Sequence, residues 1–175
     1  MEQFIDQFLL PILAGTTIIY IAGATWILYL KNQQEKKQSV LIVDDNESDL
    51  NHLGEFLKQG NYEIFQADTR EKAATIIENE KLDYAVIDIW LKGDKNPEGI
   101  HILKFLQEEK PDVQPIIVSG ISTFEEATKL FKEHLKGTTE EIDNMLEKVR
   151  DNFISKAGDG NYILKVQEKL GLFNG

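Results

Sequence analysis

Three short apolar runs in this chain each end in a side chain fit for polar chemistry, and that recurrence restricts the folds open to it. Val40-Leu41-Ile42-Val43 leads into Asp44-Asp45, Tyr84-Ala85-Val86-Ile87 into Asp88, and Pro115-Ile116-Ile117-Val118 into Ser119. Short runs of this kind read as strands buried on both faces, which is what a parallel sheet requires. Open α/β sheets place their sites beyond the carboxyl ends of such strands. Three carboxylates and a hydroxyl are therefore expected along one edge of a sheet. Carboxylates crowded together repel, so the group invites a divalent cation, and Mg2+ prefers oxygen ligands of this kind.

The segments between the runs supply the rest of an α/β pattern. Asn46 to Gln59 carries Leu50, Leu53, Phe56 and Leu57 at helical spacing, with Gly60 as its expected end. Tyr62 to Ala67 reads as a strand and Thr69 to Asn79 as a helix, and Asp83 to Ile89 as a central strand. After a polar loop from Lys92 to Glu98, Ile100, Leu103 and Leu106 mark a third helix, and the fourth strand lies within Pro111 to Val118. Strands alternating with helices predict a doubly wound parallel sheet covered on both faces. Thr123 to Leu135 predicts a fourth helix. Thr138-Thr139-Glu140-Glu141 has the form of a capping box, and Ile142, Met145, Leu146 and Val149 follow on one face, so a further helix is expected over 138–150. The last strand is expected at Asn152 to Ala157. A final helix would be capped by Asp159, bury Ile163, Val166 and Leu170, and end at Gly171. A competing register makes Asn161 to Val166 the strand instead.

This ordered set of residues resembles the receiver domains of two-component response regulators, over about residues 39 to 172. The resemblance implies a flavodoxin-like sheet of five strands in the order 2-1-3-4-5, with the 138–150 helix inserted before the last strand. It implies that Asp88 is the phosphoacceptor, in keeping with the use of carboxylates as covalent nucleophiles. By the same resemblance Asp45, Asp88 and the backbone carbonyl of Trp90 bind Mg2+ directly, while Asp44 helps through water. Ser119 and a lysine contact the phosphoryl oxygens; Lys156 fits that role in the first register and Lys165 in the second. Ser119 and Phe153 would be the switch residues, acting on the surface made by the family's fourth and fifth helices. The donor would be a sensor histidine kinase or a phosphotransfer protein, and the recipient of the signal an unidentified protein target. The chain would be a phosphoacceptor and not an enzyme with turnover on other substrates. Three features depart from the family pattern: Lys92 where proline is usual, Glu98-Gly99 three residues later than the usual Asp-Gly, and Ala157 after Lys156. Trp90 and Ile121 stand two residues beyond Asp88 and Ser119, where bulky apolar groups should exclude water and prolong the phosphorylated state.

Other functions fit less well. A net charge of −11 argues against a nucleic-acid partner, which requires a basic face. The absence of cysteine removes thiolate metal sites and thiol nucleophiles. A phosphatase of the haloacid-dehalogenase type also uses an aspartate nucleophile, but it needs a second Asp two residues on, where this chain has Trp90. Two non-enzymatic functions stay open for the same residues: a membrane scaffold indifferent to phosphorylation, and a phosphate sink that drains a kinase.

Phe8 to Leu30 is a run of 23 residues without a charge. As a helix it would extend about 34 Å, enough to cross a hydrocarbon core. Trp26 and Tyr29 near its end suit an interfacial belt, and Lys31, Lys36 and Lys37 follow it, whereas the amino end holds Glu2 and Asp6. The positive-inside tendency then predicts one transmembrane anchor in the inner (cytoplasmic) membrane, with a linker over 31–38 and the remainder in the cytoplasm. A signal peptide fits poorly, since no Lys or Arg precedes the run. Small-residue pairs such as Gly15 and Ala22 leave room for a homodimer through this helix.

Overall fold

Alternation within the first strand decides which way the sheet faces. In β1 (Gln38–Val43), Val40 and Ile42 point into one apolar cluster while Leu41 and Val43 point into another. Successive strand side chains leave opposite faces, so two separate cores follow from one buried strand. In the computed structural model the described residues are 25–26, 37–91, 97–157 and 161–171. Lys37–Gly175 forms one compact unit, and of Met1–Lys36 the described residues are Thr25 and Trp26, which are helical.

After β1 come α1 (Glu47–Lys58), β2 (Tyr62–Ala67), α2 (Arg70–Asn79), β3 (Tyr84–Asp88) and α3 (Glu98–Glu109). Then follow β4 (Gln114–Ser119), α4 (Phe124–His134), α5 (Thr139–Arg150), β5 (Phe153–Ser155) and α6 (Tyr162–Lys169). The five strands are parallel, in the order β2-β1-β3-β4-β5. Leu53 and Leu57 of α1, with Val166 and Leu170 of α6 and its C-cap, cover the face that carries Val40, Ile42, Val86 and Val118. On the opposite face Ala73 and Ile77 of α2, Leu103 and Leu106 of α3, and Phe131 of α4 close over Leu41, Ala85 and Ile117. Each Leu or Ile buried in this way contributes roughly 1.5–3 kcal/mol.

Helix starts are set by side chains that satisfy otherwise orphaned N–H groups. Asn46 accepts from the Ser48 and Asp49 N–H groups at 3.0 and 3.4 Å, and Thr69 and Thr123 cap α2 and α4 in the same manner. The expected capping box is present at α5, with Glu141 Oε2 accepting from the Thr138 N–H at 2.8 Å and Thr138 Oγ1 from the Glu141 N–H at 3.2 Å. Ile142, Met145, Leu146 and Val149 of α5 are all buried, so the additional helix is an integral part of the core.

Several boundaries differ from the sequence reading. The third strand is Tyr84–Asp88 and the last is Phe153–Ser155, shorter at both ends than Asp83 to Ile89 and Asn152 to Ala157. Gly60 does not end α1 by a left-handed turn; Asn61 takes that conformation, with φ of 61°, which Asn tolerates better than most residues. At α6 the expected glycine does so, Gly171 having φ of 79°. The competing register fails because Asn161 to Val166 enters a helix, with Val166, Gln167 and Leu170 turned inward. The seat beside β4 is filled by Phe153, Ile154 and Ser155, paired with Ile117, Val118 and Ser119. Asp159, the expected cap, and Lys92 lie outside the described residues, as does the membrane span at 8–30 apart from Thr25 and Trp26. Among the described residues no helix is long and apolar enough to cross a membrane.

Candidate functional site

The two-residue period of the strands sorts the polar groups at their carboxyl ends. Asp44 continues the Val40 and Ile42 side of β1, Asp88 the Val86 side of β3, and Lys156 the Ile154 side of β5. All three thus fall on the face covered by α1 and α6. There Lys156 Nζ lies 2.6 Å from Asp44 Oδ2 and 2.8 Å from Asp88 Oδ2. A third carboxylate joins them from the first turn of α1, Asp49 Oδ2 at 3.1 Å. The Tyr162 ring, at the start of α6, covers the ammonium with its centroid 5.5 Å from Nζ.

Three carboxylates around one ammonium leave the cluster at a net −2 if all are ionised. Burial raises the pKa of Asp88 above its ordinary value, although the Lys156 charge and hydrogen bond pull it down. Asp44 is raised for the same reason, against the same opposition from Lys156. Lys156 meets an opposing burial effect, but the charge of Asp88 and the hydrogen bonds to Asp44 and Asp88 prevail and raise its pKa. Tyr162 is pushed up to about 12 by burial and by the neighbouring charge of Asp49. At neutral pH the lysine and the phenol therefore both keep their protons.

The loops fix these groups through short backbone bonds. Trp90 N–H donates to Asp88 Oδ1 at 3.2 Å, and Asn46 N–H to Asp44 Oδ1 at 2.9 Å. Ile121 N–H donates to Ser119 Oγ at 3.2 Å, which leaves the hydroxyl hydrogen of fully buried Ser119 available to another acceptor. Lys156 N–H donates to Ser119 O at 2.6 Å, extending the β4–β5 ladder by one bond. Gly99 is close to this corner for a steric reason: a Cβ there would come within 1.9 Å of the Asp88 carbonyl oxygen. That close approach is what the glycine of Glu98-Gly99 permits.

Of the residues singled out from sequence, Asp44, Asp88 and Lys156 meet, and Ser119 lies at the adjoining strand end. Asp45 is exposed, in the bend that follows β1, and Lys165 lies on the exposed side of α6. Among the described residues no three acidic or histidine side chains are grouped as a metal ion would require, because Lys156 fills the space between Asp44 and Asp88. Phe153 packs edge-on to Phe124 with ring centroids 5.7 Å apart, and Trp90 and Ile121 are half-buried against the same core. Asp49 and Tyr162 were missed by sequence reasoning. The strand period was the available signal, since it puts Asp44, Asp88 and Lys156 under the two helices that carry them.

Residues 40–140 match the family model described as response regulator receiver domain. Over 93 residues the chain is 34% identical to an NtrX-like response regulator of Rickettsia conorii, covering 53% of this chain and 19% of that protein. It is 27% identical over 95 residues to the photosynthetic apparatus regulatory protein RegA of Rhodobacter capsulatus, covering 54% of this chain and 50% of RegA. The chain thus spans from about a fifth to half of the length of these curated relatives. Among solved structures it is similar to a CheY-like receiver domain of Methanospirillum hungatei, at a TM-score of 0.57 and 26% identity, covering 78% of this chain and 95% of the other. A response regulator of Burkholderia pseudomallei, solved with a phosphorylated aspartic acid, a calcium ion and citrate, gives a TM-score of 0.54 at 21% identity. It covers 79% of this chain and 76% of its own, and at that identity the likeness is one of fold.

Proposed function

Because the chain belongs to the response regulator receiver domain family, we propose that it accepts a phosphoryl group on Asp88 from a sensor histidine kinase or phosphotransfer protein. The observation that carries this reading is the meeting of Asp44, Asp88 and Lys156, with Lys156 Nζ 2.8 Å from Asp88 Oδ2. A carboxylate oxygen of Asp88 forms the new bond to phosphorus as the donor's P–N bond breaks, and the imidazole nitrogen leaves with the electron pair. Lys156 pairs with the phosphoryl oxygens as a point charge, and Ser119 donates its free hydroxyl hydrogen to one of them.

The cluster is rich in oxygen donors and carries a net −2, a charge that a divalent cation such as Mg2+ would offset. Asp44, Asp45, Asp88 and the Trp90 carbonyl would hold it. When bound, the ion offsets the negative charge of the transferring group.

Phosphorylation then draws Ser119 toward the new group and shifts Phe153, changing the surface around α4, β5 and α6, beside the inserted α5, that an unidentified protein target reads. The uncharged run at 8–30, followed by lysines, supports a single membrane anchor with residues 31 onward in the cytoplasm. Incubating the full chain with acetyl phosphate and Mg2+ tests the reading. One added phosphoryl mass should map to the peptide holding Asp88 and vanish in Asp88→Asn. Uptake that survives Asp88→Asn, or no uptake at all, defeats it.

A further inference from the structure

We infer that Asp49 and Tyr162 are positioning residues that hold the Lys156 ammonium back and so restrain phosphoryl transfer to Asp88. The inference rests on the reading of Asp88 as the phosphoacceptor and adds two residues which that reading does not use.

An ammonium has three N–H donors. In this chain each faces a carboxylate, with Asp44 at 2.6 Å, Asp88 at 2.8 Å and Asp49 at 3.1 Å. A phosphoryl group arriving on Asp88 brings oxygens that compete for the same donors, so one carboxylate has to yield. Asp44 makes the shortest contact, and Asp88 is the residue being modified. Asp49 makes the longest contact and is the most exposed of the three, its side chain being 28% accessible against 9% and 11%. It is the partner that gives way.

Two effects of Asp49 then act in one direction. Its hold on Lys156 must be broken, and its negative charge repels the incoming phosphoryl oxygens. The Tyr162 ring adds to the hold by covering the ammonium at 5.5 Å, a distance at which an aromatic face attracts a cation. These contacts come from the first turns of α1 and α6, both outside the strand ends at which Asp44, Asp88 and Ser119 lie. The restraint is thus separable from the reacting groups.

The test uses the full chain with acetyl phosphate at saturating Mg2+, following added mass with time. The Asp88 oxygen bonds to phosphorus, the P–O bond to the acetyl group breaks, and acetate leaves. Asp49→Asn should raise the initial rate at least three-fold, a gain that loss of structure would not produce. Tyr162→Leu leaves all three carboxylates in place and should also accelerate transfer; it covers the case in which Asp49→Asn fails to fold. Tyr162→Phe keeps the ring but loses the hydroxyl that hydrogen-bonds Asp49, so its rate should fall between those of the wild type and Tyr162→Leu. A second readout needs neither metal nor phosphate: reductive methylation of Lys156, followed by peptide mass, should run at least two-fold faster in Asp49→Asn and Tyr162→Leu. A wild-type chain that takes up no phosphoryl group overturns the reading and the restraint together. Uptake by the wild type without acceleration in Asp49→Asn and Tyr162→Leu, or unchanged labelling of Lys156 in both, overturns the restraint alone.

Discussion

Replacing Gly99 by alanine places one methyl group against the backbone that presents Asp88, and the cost can be worked from distances. The added Cβ would lie 1.9 Å from the Asp88 carbonyl oxygen and 2.8 Å from both the Asp88 carbonyl carbon and Ile89 Cα. Ordinary contact begins near 3.4 Å, so the start of α3 and the end of β3 must separate by about 1.5 Å. No side chain can rotate away, because every atom met is backbone. The same shift would break the Gly99 N–H bond to Ile89 O, now 3.1 Å long. Overpacking of this kind costs about 1–3 kcal/mol and the lost hydrogen bond about 1 kcal/mol. Alanine's better helix propensity returns at most about 1 kcal/mol. A net loss of about 2 kcal/mol is expected in urea unfolding, with the slope of the transition unchanged. Gly120→Ala is the control, since its Cβ would meet nothing within 4 Å, and it should stay within about 0.5 kcal/mol of wild type. Gly99→Ala within that same margin would show that the contact between α3 and the end of β3 is looser than the distances state.

Lys156→Met leaves three carboxylates without their cation, and removing one partner of a buried pair costs about 3 kcal/mol or more at neutral pH. Asp44 and Asp88 already have raised pKa values, so their protonation should shrink that deficit as pH falls from neutrality; a small or pH-independent deficit in thermal unfolding would contradict the charge balance. Glu141 is held below its ordinary 4.5 by the backbone and side-chain hydrogen bonds of Thr138, so its stabilising effect is present above that value and disappears as pH falls through the lower folded-state value. The melting difference between wild type and Glu141→Gln should accordingly narrow and close as pH falls below the ordinary value of 4.5. Trp90→Asn removes a half-buried indole beside Asp88 and should speed loss of the phosphoryl group several-fold; unchanged decay would mean that the indole does not limit water.

The sheet was legible because each strand states its own burial. Tyr62–Ala67 matches its expected bounds residue for residue, and Thr138 caps α5 in the capping box that its spacing predicted. Asp88 could be placed from the end of its strand, whereas the lysine stayed open between Lys156 and Lys165 until the pairing of β5 with β4 fixed the register. Asp49 could not be placed, because a first-turn acid on a helix reads as a response to the helix dipole, and its neighbour is 107 residues away. Tyr162 was read as strand or helix depending on register, and only the pairing of Phe153 with Ile117 removes that ambiguity. Asp44 is buried and Asp45 exposed, a difference that two adjacent acids in a sequence do not disclose.

β5 is only three residues long and pairs on one side, with β4. Phe153 begins it and Lys156 immediately follows it, about 10 Å apart along an extended backbone. One tip bears on Phe124 of α4 and the other reaches Asp88. So short a segment joins the ammonium to the aromatic ring through three peptide units, a path between the acidic cluster and α4 that bypasses the central strands.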